Sequence, residues 1–321
     1  MKIAVLDDYQ DSVKHLASFA LLKDYQVVVF NQTLSEDELV EKLSDVDILV
    51  LIRERTAITK SLLQRLPNLK LISQTGKVSN HLDPALCHQY GVEVAEGVGS
   101  PVAPAEFCWA LIMAASRHIP TYVNQLQKGE WQSSKALGLG RTLNGQLLGI
   151  WGYGKIGQRI AQFAKVFGMQ VMVWGSEASR QKALADGFLV AESKSHFFQA
   201  ADIVSLHLRL NEATKRCVTK ADLALMKADS LFVNISRAEL VESAALFDEL
   251  SRVPSKRAAV DVYENEPANA QNEPLLGLPN VLCSPHLGYV EHNSYELYFK
   301  AAFENAVAFA KGKPQQLVAK K

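Results

Sequence analysis

Cysteine is scarce in this chain of 321 residues, with four at positions 87, 108, 217 and 283, and these form no Cys-x-x-Cys pair and no zinc-ligand spacing. That excludes a disulfide scaffold and a zinc module, and predicts thiols in a reducing compartment. A charge bias is missing too, because 34 Lys and Arg offset 34 Asp and Glu for a formal net charge of zero. No basic stripe marks a nucleic-acid or anionic-membrane surface, and the terminal Lys320-Lys321 reads as a solvated tail. No apolar run approaches the length of a membrane span. A first strand expected from Ile3 leaves no room for a signal peptide, so a cytoplasmic location is expected. Repeats of solenoid period and low-complexity tracts are also absent. What remains is 48% hydrophobic and 21% charged, a globular profile, and the length suggests two domains.

Apolar runs at Ile3–Leu6, Val27–Phe30, Ile48–Ile52, Leu69–Ile72 and Val92–Ala95 alternate with segments of helical period. This alternation predicts a parallel sheet with helices on its faces. Ser35 followed by Glu38 predicts a capping box opening a helix from Glu36 to Leu43. The Pro- and Gly-bearing stretch from Glu96 to Pro104 then breaks the pattern before a helix expected from Ala105 to about Lys128. A second α/β set has strands at Leu147–Trp151, Gln170–Trp174, Ile203–Leu206, Leu231–Asn234, Ala258–Val262 and Val281–Ser284. A last helix, from His292 to Lys311, is expected to pack back on the first domain and make it discontinuous. The fold class is therefore α/β, with two doubly wound parallel-sheet domains. One comprises residues 1–100 and 289–321, and the other residues 101–288.

Residues 147 to 157, Leu-Leu-Gly-Ile-Trp-Gly-Tyr-Gly-Lys-Ile-Gly, read as a strand breaking into a dinucleotide-binding turn. The three glycines differ in role, since Gly152 makes the tight turn, Gly154 lets backbone approach a pyrophosphate, and Gly157 lets helix pack close to strand. The context supports this reading. Ile156, Ile160, Phe163, Ala164 and Phe167 share one helical face, and Gly168 stops the helix.

Ligands of open α/β sheets sit beyond the carboxyl ends of the strands. Three strands here end in polar groups: Asn234-Ile-Ser-Arg237, Asp261-Val-Tyr-Glu-Asn-Glu266-Pro267, and Ser284-Pro-His286-Leu-Gly288. Singly, each is more often an ion pair, a helix stop or a turn. Together they suit hydride transfer at an alcohol carbon. An arginine fork holds a carboxylate and polarises a carbonyl, a histidine moves the hydroxyl proton, and a carboxylate orients and charges that histidine.

With those four segments in order, the chain resembles the D-isomer-specific 2-hydroxyacid dehydrogenases over nearly its whole length. The resemblance implies a flavodoxin-like substrate domain, a Rossmann cofactor domain with NAD as cofactor (NADP not excluded), and an active site in the cleft between them. It implies that Arg237 binds the carboxylate and carbonyl of a small 2-oxo or 2-hydroxy acid, that His286 is the acid/base, and that Glu266 favours its protonated form. It also implies cofactor contacts at Gly152, Gly154, Lys155, Ile156, Gly157, Leu208, Ile235, Ser236, Asp261 and Gly288. His207 reads as structural support for that site, and His118 and His196 as surface residues.

Three departures bear on specificity. Gly175 stands where NAD-preferring relatives usually carry an acid; Glu177 could reach the ribose hydroxyls, or Ser176 and Arg180 could accept a 2′-phosphate. The substrate loop reads Thr75-Gly76-Lys77-Val78-Ser79-Asn80-His81, so Lys77 either binds a second acidic group or points at solvent. Arg53 matches a position that some relatives use for an anionic substrate group, and His81 reads as a loop hydrogen-bonder. Ala238 replaces a usual glycine and is expected to be tolerated.

The helix from Ala105, with Phe107, Trp109, Leu111 and Ala115, is too apolar for a free surface helix. In the family this region builds a dimer interface, so a homodimer is expected. The chain ends soon after the last helix, so no extra regulatory domain is expected. The rival reading is a nucleotide-sensing corepressor-like binding protein of the same fold, because fold alone does not fix function. Enzymes acting on formate or phosphonates share the glycine turn but predict other residues around Lys77 and His286.

Overall fold

The computed structural model describes residues 1–319; the expected tail of Lys320 and Lys321 lies outside them. Its strands are β1 (Lys2–Val5), β2 (Gln26–Val29), β3 (Ile48–Leu51), β4 (Leu71–Gln74), β5 (Glu93–Ala95), β6 (Leu147–Trp151), β7 (Gln170–Trp174), β8 (Leu189–Val190), β9 (Ile203–Leu206), β10 (Leu231–Asn234), β11 (Arg257–Val260) and β12 (Val281–Cys283). The α-helices are α1 (Glu36–Leu43), α2 (Lys60–Arg65), α3 (Pro84–Gln89), α4 (Val102–Ser116), α5 (Ile119–Gln127), α6 (Lys155–Val166), α7 (Glu177–Ala185), α8 (Lys194–Ala200), α9 (Lys220–Leu225), α10 (Ala245–Arg252) and α11 (His292–Ala310). The chain divides into two compact units, Met1–Ser100 with Val290–Lys321, and Pro101–Tyr289.

The first unit holds a parallel five-stranded sheet in the order β2-β1-β3-β4-β5. This is the flavodoxin-like order, whose switch point lies between β1 and β3. Both central strands are buried on both faces, as their continuous apolar runs require. The capping box forms as expected: the Ser35 side chain accepts from the Glu38 amide, and the Glu38 carboxylate accepts from the Ser35 amide at 2.8 Å. Helix α11 packs on β3 and β4, its Phe299 and Phe303 are buried, and Ser73 donates to the Ala302 carbonyl at 2.8 Å. Beyond it, Leu317 bridges antiparallel to Ala95 at the open edge of β5. Strand β4 starts two residues later than expected, because the Leu69 amide closes a turn on the Leu66 carbonyl.

The second unit holds a parallel seven-stranded sheet in the order β12-β11-β10-β9-β6-β7-β8. Counted from β6 this is the Rossmann order 3-2-1-4-5-6 with a seventh strand added. The two-residue β8 escaped the sequence pattern because it is too short to show a period. The expected helix from Ala105 to Lys128 is two helices. His118 takes a left-handed conformation with φ of 53°, and Pro120 in the first turn of α5 lacks the amide that would continue α4. Ala105, Cys108, Ile112 and Ala115 of α4 are buried against α6 and β10–β12, so the apolar character of that helix is used inside its own unit. His118, expected at the surface, is only 5% exposed.

Candidate active site

The glycine turn follows β6 directly. Gly152 has φ of 102°, and a Cβ there would stand 2.4 Å from the His207 carbonyl oxygen, so only glycine fits. A Cβ on Gly157 would stand 2.2 Å from the Gly152 oxygen, which is the close packing of helix on strand that the spacing predicts. At Gly154 a Cβ would meet nothing within 4 Å. Gly154 caps α6 without a side-chain hydrogen bond, and the first i→i+4 bond is made by the Gln158 amide. The amides of Lys155, Ile156 and Gly157 have no backbone acceptor among the described residues and lie at the positive end of a helix, the arrangement that suits a pyrophosphate. The site fits a dinucleotide.

At the end of β7, Gly175 has φ of 151° and Ser176 caps α7 by accepting from the Ser179 amide at 3.3 Å. The Arg180 guanidinium lies 5.1 Å from the centre of the Trp174 ring, and Glu177 accepts from the Gln181 side chain at 3.1 Å. At the end of β9, Ser205 and His207 share a face, with Oγ and Nε2 at 2.9 Å. Burial holds the His207 imidazole down at about 4, so it is a neutral ring. Leu208 follows, its Cδ2 3.1 Å from where a Gly152 Cβ would stand.

Strand β10 ends in Asn234, whose side chain shapes the next turn from both ends: it accepts from the Ser236 amide at 3.0 Å and donates to the Arg237 carbonyl at 2.8 Å. Ser236 Oγ donates to the Leu206 carbonyl at 2.8 Å, and Ile235 packs on the core. Arg237 thus leaves a pinned turn. Ala238 opens a short 3-10 helix without strain at its own φ.

Strands β11 and β12 supply the other two groups. His286 Nδ1 lies 2.7 Å from Glu266 Oε2, and the other carboxylate oxygen of Glu266 accepts from the Tyr263 amide at 3.0 Å. Asp261 is fully buried. It accepts from Ser284 Oγ at 2.7 Å, the Leu287 amide at 2.8 Å and the Gly288 amide at 2.9 Å, clamping the loop that carries His286. Burial pushes its carboxyl up, against those hydrogen bonds and the neighbouring His286, which draw it down. Tyr263 Oη adds a bond to the Ser284 carbonyl at 2.8 Å. The sheet order sets these strand ends side by side, from His286 through Glu266, Arg237 and Leu208 to Gly152 and Ser176.

In the first unit, Arg53 has φ of 55°, and its Nη1 would stand 2.1 Å from a Cβ on Gly76, so the guanidinium lies on that glycine. The Arg53 amide donates to Thr75 Oγ1 at 3.0 Å. Lys77 pairs with Glu96, just past β5, at 2.7 Å and remains 67% exposed, so its charge is already matched within the first unit. His81 lies 3.3 Å from Gln74 Oε1, the loop hydrogen bond expected of it.

A doubly wound sheet with a glycine turn after its first strand and a histidine–carboxylate pair beyond its carboxyl edge has the arrangement of a dinucleotide-dependent oxidoreductase. The family model for the NAD-binding domain of D-isomer-specific 2-hydroxyacid dehydrogenases matches residues 109–288. The chain belongs to that family, whose members are NAD-dependent oxidoreductases acting on a CH–OH group. It is 33% identical to a glyoxylate reductase of Aeropyrum pernix over 93% of this chain and 91% of that protein. It is 31% identical to a D-3-phosphoglycerate dehydrogenase of Methanocaldococcus jannaschii over 90% of this chain, but spans only 53% of that longer relative. Among solved structures, a phosphoglycerate oxidoreductase of Vibrio cholerae o395 superposes with a TM-score of 0.96 at 65% identity, covering 97% of this chain and 99% of that one.

Supporting roles for Asn234, Ser205, Tyr263, Ser284 and Glu96 were not foreseen from the sequence. Tyr263 and Ser284 lie inside the acid and histidine segments, where a polar atom amid buried residues was the available signal. Glu96 lies nineteen positions from its partner Lys77, and nothing local announced it.

Proposed function

We propose that the chain moves a hydride between a nicotinamide cofactor and a small 2-oxo or D-2-hydroxy acid, with the second unit holding cofactor and the first unit substrate. The bound cofactor supplies or takes the hydride. Glu266 holds Nδ1 of His286, which leaves Nε2 for the substrate oxygen. In reduction the proton on Nε2 goes to the 2-oxo oxygen as C2 gains the hydride; in oxidation both return. Arg237 donates to the carboxylate and the carbonyl oxygen and steadies the negative charge that develops there. Gly152, Gly154, Lys155, Ile156 and Gly157 take the pyrophosphate, Ser176 the adenosine ribose, and Leu208, Ile235, Ser236, Asp261 and Gly288 border the nicotinamide end. Arg53 and the Gly76–Lys77 amides take anionic groups of the substrate.

The observation that carries this reading is the 2.7 Å contact of His286 with Glu266 at strand ends adjacent to that of Arg237. Nicotinamide absorbance tests it, with NADH and NADPH against glyoxylate, hydroxypyruvate and phosphorylated three-carbon 2-oxo acids. Turnover of at least one acid, lost on Arg237→Gln, is expected. Tight cofactor binding without turnover of any acid would favour a nucleotide-sensing binding protein instead.

A homodimer is part of the proposal. Ile119, Val123 and Leu126 of α5 are about half exposed, at 48%, 48% and 54%, and Trp131 is 77% exposed. A monomer by sedimentation would reject it. A cytoplasmic setting is proposed from the four free thiols, of which burial pushes Cys87 and Cys283 up to about 11 and Cys108 up to about 12.

A further inference from the structure

The second unit contains a cavity of about 330 Å³ where the α4–α5 turn meets β12 and the first residue of β11. Among the described residues, no aspartate or glutamate lines it. Arg257, which opens β11, does line it, and its guanidinium donates to the Asp229 carbonyl at 3.1 Å, with no carboxylate partner among the described residues. The Asp229 carboxylate is taken by Arg141. Burial and the nearby Arg141 both weigh against the Arg257 charge.

His118 forms a second wall. Its φ of 53° is a left-handed conformation uncommon for histidine, its ring is buried, and Nε2 has no hydrogen-bond partner among the described residues. Burial and Arg257 hold the imidazole below its usual value, while a hydrogen bond to the Leu139 backbone works the other way. Thr121 and Asn124, one turn apart on α5, add polar side chains, and Leu137 and Pro279 add apolar surface. A half-buried guanidinium without a carboxylate partner among the described residues, beside an unpartnered buried imidazole nitrogen, costs stability unless something answers both.

We propose that this cavity binds a small monocarboxylate with an apolar body. The carboxylate receives the free edge of the Arg257 fork. Nε2 of His118 becomes a donor when the ring takes a proton, which an adjacent carboxylate favours. The apolar body rests against Leu137 and Pro279. Arg257 lies at the amino end of its strand, whereas Arg237, Glu266 and His286 follow carboxyl ends, so the site is separate from the one proposed for hydride transfer.

Crystals of the full chain soaked in 4-bromobenzoate test this without a variant. Bromine density in this cavity with the carboxylate on Arg257 is expected. Density only beside Arg237, or a side chain of a second copy filling the cavity, overturns the proposal. Titration calorimetry with benzoate should show binding that is about 10-fold weaker or worse in Arg257→Gln and unchanged in Arg237→Gln. NADH binding by each variant confirms that it is folded. Should Arg257→Gln not fold, Thr121→Phe, which fills the cavity from α5, must abolish benzoate binding. Equal affinity in wild type and the folded cavity variant, or no benzoate binding at all, overturns the site.

Discussion

Glu266 holds Nδ1 of His286 at 2.7 Å, and its own second oxygen is held by the Tyr263 amide at 3.0 Å. The carboxylate is thus fixed by backbone before it fixes the imidazole. This order of support makes His286→Ala and Glu266→Gln unequal. Removing the imidazole takes away the proton donor, and kcat should fall by about 100- to 10,000-fold. In Glu266→Gln the new side-chain amide can still accept from Nδ1 but carries no charge, so the loss should be smaller, about 10-fold. Equal loss in both variants, or an active His286→Ala enzyme, contradicts the assignment.

Asp261 yields a prediction of another kind. Its carboxylate receives Ser284 Oγ and the Leu287 and Gly288 amides, which flank His286 on both sides. Asp261→Asn turns one acceptor oxygen into a donor facing an N–H. At least one charge-assisted bond is lost and a buried amide is left unanswered, which costs about 2–4 kcal/mol. The histidine loop should loosen, so kcat should fall while the affinity for NADH, measured by fluorescence, changes less. A variant with wild-type kcat and wild-type melting would remove Asp261 from this role.

The sheets were legible because buried parallel strands such as Ile48–Leu51 and Leu231–Asn234 are unbroken apolar runs, and each strand's polar sequel marks its carboxyl end. The glycine turn was legible because Gly152 and Gly157 admit no other residue. The break between α4 and α5 was not, because apolar period continues through His118 while the left-handed turn is a backbone event. His118 itself looked like a surface residue, since local sequence cannot show that β11 brings Arg257 to it. The pairing of Lys77 with Glu96 escaped for the same reason.

Cofactor preference follows from the geometry at the end of β7. Arg180 lies over Trp174 and Glu177 accepts from Gln181, so on the proposed placement of the adenosine ribose at the end of β7 both charges border it. A 2′-phosphate would gain from Arg180 and be repelled by Glu177. NADPH use relative to NADH should therefore rise about 10-fold in Glu177→Gln and fall in Arg180→Ala, as read from kcat/KM with both cofactors. If neither substitution moves the ratio, the two charges are a solvated helix start.

Stability against pH is set in part by His207. Burial holds its imidazole at about 4 in the folded chain, against an ordinary 6.5. Between these values the unfolded chain binds a proton that the folded chain does not, so acid pulls the equilibrium towards unfolding. The contribution is complete above about pH 7 and is lost as pH falls through the window, with about 2 kcal/mol gone near pH 5. His118, also held low by burial, acts in the same direction. Urea unfolding followed by the fluorescence of Trp151 and Trp174 should show this loss in the wild type. In His207→Gln the drop between about pH 7 and pH 5 should shrink by about 2 kcal/mol. The variant should be weaker at neutral pH only to the extent that glutamine fails to reach Ser205 Oγ, which His207 meets at 2.9 Å. An unchanged pH dependence in His207→Gln would mean that the imidazole is solvated and titrates alike in both states.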